Sequence, residues 1–143
     1  MTISKSTPVT GHKPLLVLKI GGSMLDELEQ EFLQNVKALK EQYDFIVVHG
    51  AGPDISSKLQ TLNIDAPFIH GLRKTTKPAM EVVETVLSGT KNRELTGKFI
   101  SEGVKAVGLK GCDGMFHTDF LDYEAYGYVG TAPVVETDLS VTS

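Results

Sequence analysis

Residues 15–23 have the sequence LLVLKIGGS, an apolar run that is interrupted by one lysine and ends in two glycines. The run from Leu15 to Ile20 is too short to span a membrane and suits a parallel strand covered on both faces. Lys19 is costly to bury unless it meets an anion, and Gly21-Gly22 lets backbone N–H groups approach one. The pattern predicts a strand that ends in a phosphate-binding loop. The alternative is a lysine that extends to solvent before an ordinary turn.

A second short apolar run, FIVV at 45–48, also ends in a glycine-containing stretch, HGAGP at 49–53. Between the two runs, apolar residues from Leu25 to Leu39 recur at spacings of three and four, which predicts a helix that opens at Asp26-Glu27. The first 50 residues therefore predict a βαβ unit. Both glycine loops would then lie on one side of a sheet with two positive helix ends, a place that suits a polyanionic ligand.

The rest of the chain continues the alternation of helices and strands. A helix is predicted from Pro53 to near Asn63, and a longer one from Pro78, capped by a threonine, to Gly103. We further expect a short extended segment at 68–72, a buried strand at 104–109, hairpin or edge strands at 127–136, and the start of a helix or linker at 137–143. The order of these elements predicts an α/β fold.

Composition limits the class of protein. A chain of 143 residues with 41% hydrophobic residues matches one domain, which we place at 14–143, after a Thr/Ser/Lys-rich flexible tail at 1–13. A net charge of −4 with interspersed signs argues against binding to nucleic acid or to an anionic membrane. The lone Cys112, interpreted as a small residue in a turn, excludes an internal disulfide and fits a reducing cytoplasm.

Polar side chains outside the glycine loops offer few candidates. Arg73 follows a short extended segment and could grip a carboxylate with two parallel hydrogen bonds, although an exposed arginine in a polar turn is the simpler interpretation. The histidines show no paired spacing of metal ligands, so no metal site is expected. His49 is interpreted as a residue that orients the second loop through a hydrogen bond. The four histidines are His12, His49, His70 and His117.

Three ordered motifs, KIGG at 19–22, HGAGP at 49–53 and GLRKTT at 71–76, resemble those of the amino-acid kinase family. The resemblance is strongest to members that phosphorylate the side-chain carboxylate of N-acetylglutamate in arginine biosynthesis. It extends to MEVVE at 80–84, AVGL at 106–109, DG at 113–114 and GYVG at 127–130. It implies a three-layer αβα sandwich with a mainly parallel central sheet, here truncated, because family members are about twice as long as one such domain.

The resemblance also implies roles for individual residues. Lys19, as the catalytic residue, and the backbone of Gly21, Gly22 and Gly50 would hold the transferring phosphate, while Ala51, Gly52 and Arg73 would hold the acyl amino acid. ATP with Mg²⁺ would be the co-substrate, with no tightly bound cofactor. The chain would be the substrate-binding amino-terminal half, a poor kinase alone, and would form homo-oligomers or associate through its exposed sheet edge.

Other functions were weighed against this one. A dinucleotide-binding domain fails because Ile55 stands where a third glycine is needed, and no P-loop lysine motif occurs. Two alternative functions are compatible with the same motifs. One is a noncatalytic module that binds an acyl amino acid or has a regulatory role, and the other is a kinase that acts on an aminoadipate derivative or on aspartate. Ala51 stands where the family usually has glycine, and a positive φ there would cost stability or shift the loop.

Overall fold

Residues 15–49 form the predicted strand–helix–strand unit in the computed structural model of the chain, which describes residues 2–5, 12–113, 116–132 and 134–135. Strand β2 covers Leu15–Ile20, helix α1 covers Gln30–Leu39 and strand β3 covers Asp44–His49. β2 and β3 pair in parallel, from Leu15 opposite Asp44 to Ile20 opposite His49. The prediction of an α/β fold built on parallel strands is confirmed, and both glycine loops leave the sheet at the same end.

The amino terminus differs from the flexible tail predicted for residues 1–13. Thr2–Lys5 form strand β1, which pairs antiparallel with β2, and the three strands lie in the order β1-β2-β3. β1 forms because the edge strand β2 would otherwise leave its backbone hydrogen-bonding groups without partners. The pairs run from Lys5 opposite Leu16 to Thr2 opposite Lys19. A local pattern of polar residues does not reveal that a strand edge elsewhere needs a partner.

Helix α1 begins later than the sequence predicted. Residues 22–24 form a single 3₁₀ turn, and the helix is preceded by Glu29 rather than by residues near Asp26. Lys91 binds the Asp26 carboxylate, and the Lys98 ammonium donates to the carbonyl oxygen of Leu25. These two contacts hold the backbone after the first loop outside the helix.

The remaining elements are short strands and four further helices. The helices are α2 (Gly52–Thr61), α3 (Lys77–Val83), α4 (Asn92–Ser101) and α5 (Tyr123–Tyr126). The strands are β4 (Phe68–Ile69), β5 (Leu72–Arg73), β6 (Phe116–His117) and β7 (Val134–Val135). β4 pairs with β5 and β6 with β7, both antiparallel.

Helices α3 and α4 are joined without a break by a π-helical segment, Glu84–Lys91. The Thr76 hydroxyl accepts from the Ala79 N–H at 3.5 Å, which confirms the predicted threonine cap. Val82 and Val86 pack in one core cluster, whereas Leu95 and Phe99 pack in another. The i→i+5 hydrogen bonds of a π-helix enclose one residue more than those of an α-helix, so the segment changes the direction in which the following side chains point. One continuous helix can therefore serve both clusters.

The structure differs in part from the strands and helix that were predicted for residues 104–143. Residues 104–109, predicted as a strand, pair with no strand in the described part of the chain. Between residues 127 and 136, the chain makes a bridge from Gly130 to Phe120 and the short strand β7. The predicted helix or linker at 137–143 lies outside the described residues.

Two apolar clusters form the core. The first packs α1 and α4 against the sheet and contains Leu18, Ile20, Leu25, Leu33, Val36, Leu95, Phe99 and Val104. The second packs α2 against α3 and contains Ala51, Ile55, Leu59, Ala79, Val82 and Val86. None of the described helices is long and apolar enough to cross a membrane. Ala51 of the second loop is thus part of the second cluster.

Candidate functional site

The two glycine loops lie against each other at the carboxyl ends of β2 and β3. A Cβ atom placed on Gly22 would lie 2.8 Å from the Cα of Ala51 and 2.8 Å from the backbone nitrogen of Gly52. Real Cβ atoms do not approach backbone this closely, so Gly22 must be glycine for the loops to touch. The prediction from the βαβ pattern, that both loops share one side of the sheet, agrees with this contact.

The loops differ in how many free N–H groups they present. The Gly50 N–H donates to the Ile20 carbonyl at 3.2 Å and so continues the ladder of β2 and β3. In the described residues, the N–H groups of Gly21, Gly22 and Gly52 have no such partner. Gly52 is the first residue of α2, where the helix dipole adds positive potential. The free donors of the two loops therefore include the N–H groups of these three glycines, whereas the Gly50 N–H is used within the sheet.

Lys19 projects to the solvent from β2. It alternates with Leu18 and Ile20, which are buried in the first cluster, while Lys19 itself is exposed. Among the described residues, none forms a hydrogen bond or an ion pair with the ammonium group of its side chain. The burial expected for a core-strand lysine is thus absent, and the ammonium group is accessible from the solvent.

The backbone conformation of Ala51 does not require a glycine. Its φ is −153° and its ψ is 32°, so the backbone is not in the left-handed region. Its side chain is 2% exposed and packs in the second cluster with residues of α2 and α3. The cost anticipated for a positive φ does not arise, and the methyl group contributes to the core.

Arg73 is held in place by three neighbours that carry no charge. Its Nη2 donates to the Ser56 hydroxyl at 2.7 Å, and its Nη1 lies 3.5 Å from the Ala66 carbonyl oxygen. The guanidinium carbon lies 4.5 Å from the centre of the Phe68 ring, a cation–π contact. No carboxylate among the described residues pairs with this half-buried arginine. The guanidinium is oriented, yet its charge is not neutralised.

Residues 126–128 form backbone hydrogen bonds with the segment that carries Arg73. The Thr75 N–H donates to the Tyr126 carbonyl at 2.9 Å, and the Tyr128 N–H donates to the Thr75 carbonyl at 2.8 Å. Gly127, between them, has a φ of +68°, and a Cβ atom there would collide with the Thr75 carbonyl. This contact explains why glycine stands in the GYVG motif, and it fixes the backbone two residues from Arg73.

Lys91 is the residue that sequence reasoning missed. Its ammonium group lies 2.8 Å from Asp26 after the first loop, 3.0 Å from Asp54 in the first turn of α2, and 3.3 Å from Glu94. The lysine is 8% exposed. Its contacts tie the segments that follow both glycine loops to the end of the π-helical segment. This role was missed in the sequence because Lys91 lies far along the chain from both loops.

Charge pairing in this cluster shifts both protonation equilibria. The hydrogen bonds that the Lys91 ammonium donates to the Asp26 and Asp54 carboxylates raise the pKa of Lys91 above its ordinary value, and burial opposes them. The hydrogen bond from Lys91 lowers the pKa of Asp26 below 3.8. Because three carboxylates already share its charge, Lys91 holds together the segments that follow the two loops.

His49 has the contacts of an orienting residue. Its Nδ1 lies 3.3 Å from the Gly50 carbonyl oxygen, which can only accept, so this nitrogen carries the proton. Its Nε2 then accepts from the Asn92 amide nitrogen at 3.2 Å. In the parts of the chain that the structure describes, no group of three or more His, Cys, Asp or Glu residues is arranged to hold a metal ion.

The chain is similar in sequence to several acetylglutamate kinases. The acetylglutamate kinases of Geobacillus thermodenitrificans and Bacillus velezensis are each 44% identical to the chain, over 89% and 90% of its length. That of Bacillus subtilis is 43% identical over 89% of the chain. The chain spans about half the length of these curated relatives, 50% in each case. These matches are consistent with an amino-terminal half.

A solved structure supports the same fold. The crystal structure of smu.665 from Streptococcus mutans superposes with a TM-score of 0.74 and 32% identity, and covers 81% of this chain and 48% of that one. The amino acid kinase family matches residues 14–139, which include both glycine loops and Arg73. The chain therefore belongs to the amino acid kinase family.

Proposed function

We propose that the chain is the substrate-binding half of a kinase that transfers the γ-phosphoryl group of ATP to the side-chain carboxylate of N-acetyl-L-glutamate. The observation that carries the proposal is the Arg73 guanidinium, oriented by Ser56 and Phe68 without a carboxylate partner among the described residues. An arginine in that state favours a carboxylate ligand. Similarity to acetylglutamate kinases supports this particular acyl amino acid.

The reaction needs no general base from this chain. The substrate carboxylate, with an ordinary pKa of about 4.3, is already ionised at neutral pH. One of its oxygens forms a bond to the γ-phosphorus while the bond from that phosphorus to the leaving oxygen of ADP breaks. The products are ADP and an acyl phosphate, with no net proton transfer. Catalysis then depends on positioning and on stabilising charge.

Residues of the chain would supply both the positioning of the substrates and the stabilisation of charge. The exposed Lys19 ammonium would neutralise charge on the oxygens of the transferring phosphoryl group, assisted by the N–H groups of Gly21 and Gly22. Arg73 and the N–H groups of Ala51 and Gly52 would hold the acyl amino acid. Mg²⁺ would arrive with ATP and neutralise phosphate charge when bound.

The exposed thiol of Cys112 supports a reducing cytoplasm as the location of the protein.

Calorimetric titration of N-acetyl-L-glutamate into the chain and into Arg73→Ala tests the proposal. We expect saturable binding that weakens by about 10–100-fold in the variant, since a charge-assisted hydrogen bond is lost. The exposed Arg93, replaced as Arg93→Ala, is the matched control and should bind normally. No binding to the unsubstituted chain, or equal loss in both variants, would reject the proposal.

A noncatalytic acyl-amino-acid-binding module would give the same titration. The two differ after the carboxyl half of a relative is added, because a kinase half would then support phosphorylation that depends on ATP and on Lys19. A Lys19→Met variant should abolish this turnover while it retains binding of N-acetyl-L-glutamate. Binding without turnover in every mixture would favour the module. Parallel titrations with aspartate and an N-acetylated aminoadipate separate the related substrates.

A further inference from the structure

The peptide group between Gly50 and Ala51 is held from its carbonyl side by the ring of His49. The Nδ1 atom of this ring, which carries the proton, lies 3.3 Å from the Gly50 carbonyl oxygen. The carbonyl and the N–H of a trans peptide point in opposite directions in one plane, so a bond that fixes the Gly50 carbonyl also sets the direction of the Ala51 N–H. That N–H has no partner among the described residues.

Gly50 itself does little to fix this peptide group. Its own N–H donates to the Ile20 carbonyl at 3.2 Å, but its α-carbon carries no side chain that would limit rotation of the peptide group that follows. A Cβ atom at this position would meet nothing nearer than the Gly22 backbone nitrogen, at 3.5 Å. In the described part of the chain, the His49 ring is the one side-chain group that holds the Gly50 carbonyl.

Asn92, the first residue of α4, orients the ring. Its amide nitrogen lies 3.2 Å from His49 Nε2 and 3.4 Å from the Leu109 carbonyl oxygen. The Leu109 carbonyl can only accept a hydrogen bond, so the NH₂ group of the amide, and not its oxygen, faces both neighbours. One hydrogen of the NH₂ group is donated to Leu109 and the other to the ring, whose Nε2 is therefore unprotonated.

Donors and acceptors match along the whole series of contacts. The series begins and ends at backbone carbonyls, those of Leu109 and Gly50, and each of them requires a donor. The neutral ring of His49 donates at Nδ1 only while it accepts from Asn92 at Nε2. The amide is also confined by the backbone, since a Cβ atom on Gly108 would collide with its oxygen. One tautomer of the ring therefore fits this arrangement, and Asn92 selects it.

The position of Asn92 in the chain places it close to both loops. It directly follows Lys91, whose ammonium group binds Asp26 and Asp54 after the two glycine loops. The π-helical segment ends at Lys91 and α4 begins at Asn92, and π-helical turns are frequent at functional sites. Two adjacent residues at this junction thus contact the segments beside both loops.

We propose that Asn92 is a positioning residue of the candidate site, which acts through His49 to point the Ala51 N–H at the bound ligand. The Ala51 nitrogen lies beside the first loop, 2.9 Å from the position that a Cβ atom on Gly22 would occupy. The inference rests on the proposed function for the nature of that ligand, an acyl amino acid. The direction of the N–H is a property of the chain alone.

Nitrogen chemical shifts of the imidazole test the first step, at about pH 8, where an ordinary imidazole is neutral. In the isotope-labelled chain we expect a proton on His49 Nδ1 and none on Nε2. Asn92→Asp should put a proton on Nε2, because a carboxylate can only accept. Asn35→Asp, at an exposed position of α1, is the matched control and should leave the ring unchanged. A protonated Nε2 in the unsubstituted chain, or an unprotonated one in Asn92→Asp, would overturn the proposal.

The direction of the Ala51 N–H is the second readout. Its residual dipolar coupling in a weakly aligned sample depends on the angle of this bond. The coupling should change in Asn92→Leu, which keeps the volume of the side chain and removes its donors, while the couplings of β2 and β3 stay the same. Asn35→Leu should change none of them. An unchanged Ala51 coupling in Asn92→Leu, or changes throughout the chain, would overturn the proposal.

Calorimetry with N-acetyl-L-glutamate adds the functional readout. Asn92→Leu should weaken binding about 3–10-fold, the range expected for one hydrogen bond, whereas Asn35→Leu should bind normally. Equal affinity of Asn92→Leu and the unsubstituted chain would overturn the proposal. If the unsubstituted chain does not bind N-acetyl-L-glutamate, only the proposed function is rejected, because the tautomer and the Ala51 coupling still decide whether Asn92 sets the direction of the N–H.

Discussion

The Cα atom of Ala51 lies 2.8 Å from the position that a Cβ atom on Gly22 would occupy. The two loops that follow β2 and β3 are thus in backbone contact, with no side chain between them. The free N–H groups of Gly21, Gly22 and Gly52 are brought together by this contact. Small changes at the contact should therefore affect both stability and anion binding.

Gly22→Ala should lower the free energy of unfolding by about 1–3 kcal/mol, because its methyl group meets backbone atoms that have no flexible side chain to move aside. Gly21→Ala is the matched control. A Cβ atom there has no neighbour within 4 Å, and the backbone has an ordinary extended conformation at φ −65° and ψ 149°. Urea unfolding of both variants is the measurement. Similar losses in the two would show that the loops are not in contact.

Ala51→Gly should destabilise the protein by about 1–2 kcal/mol. The variant loses a buried methyl group and gives the unfolded chain more conformational freedom. Because φ is already −153°, no strain is relieved. Thermal and urea unfolding would measure the loss. A gain in stability, or tighter binding of N-acetyl-L-glutamate, would contradict the prediction.

Lys91→Met should lower the melting temperature by about 5 °C, because it leaves Asp26, Asp54 and Glu94 without their shared cation. Methionine keeps most of the apolar stem, so the charge is the main change. Lys110→Met is the control, since Lys110 and its partner Glu84 are 40% and 54% exposed and their pair is screened by solvent. Calorimetric scans that show equal shifts for both would argue against a positioning role for Lys91.

The acid dependence of stability should follow Asp26. Its folded pKa lies below 3.8 because of the hydrogen bond from Lys91, so the unfolded chain binds this proton more readily. The stabilisation is complete above the unfolded pKa and is lost as the pH falls through the folded pKa. The stability difference between the protein and Asp26→Asn should shrink as the pH falls from about 6 to about 3.

The same comparison in a Lys91→Met background supplies the control. Without the ammonium group, the pKa of Asp26 should return towards its ordinary value, and the difference should lose its acid dependence. Persistence of the same profile in that background would assign the effect to another group.

Local patterns were sufficient wherever a few neighbouring residues set the structure. Short apolar runs, the glycines after each run and the helical spacing of the apolar residues between them predicted the βαβ unit, and Thr76 before Pro78 predicted a helix start. These features depend on steric limits and hydrogen bonds within a few residues, which a sequence displays directly. The same motifs also carried the resemblance to the amino acid kinase family, which the comparisons then confirmed.

Contacts between distant segments had no local signal. Lys91 meets Asp26 across 65 positions, Gly127 clasps Thr75, and Thr2–Lys5 pair with β2 because its edge is open. The exposure of Lys19 and the unpaired edge of residues 104–109 likewise depend on which segments lie alongside them. Sequence patterns therefore predicted the βαβ unit, the glycine loops and the family, whereas the packing of remote segments decided which charged groups are paired and which strand edges have a partner.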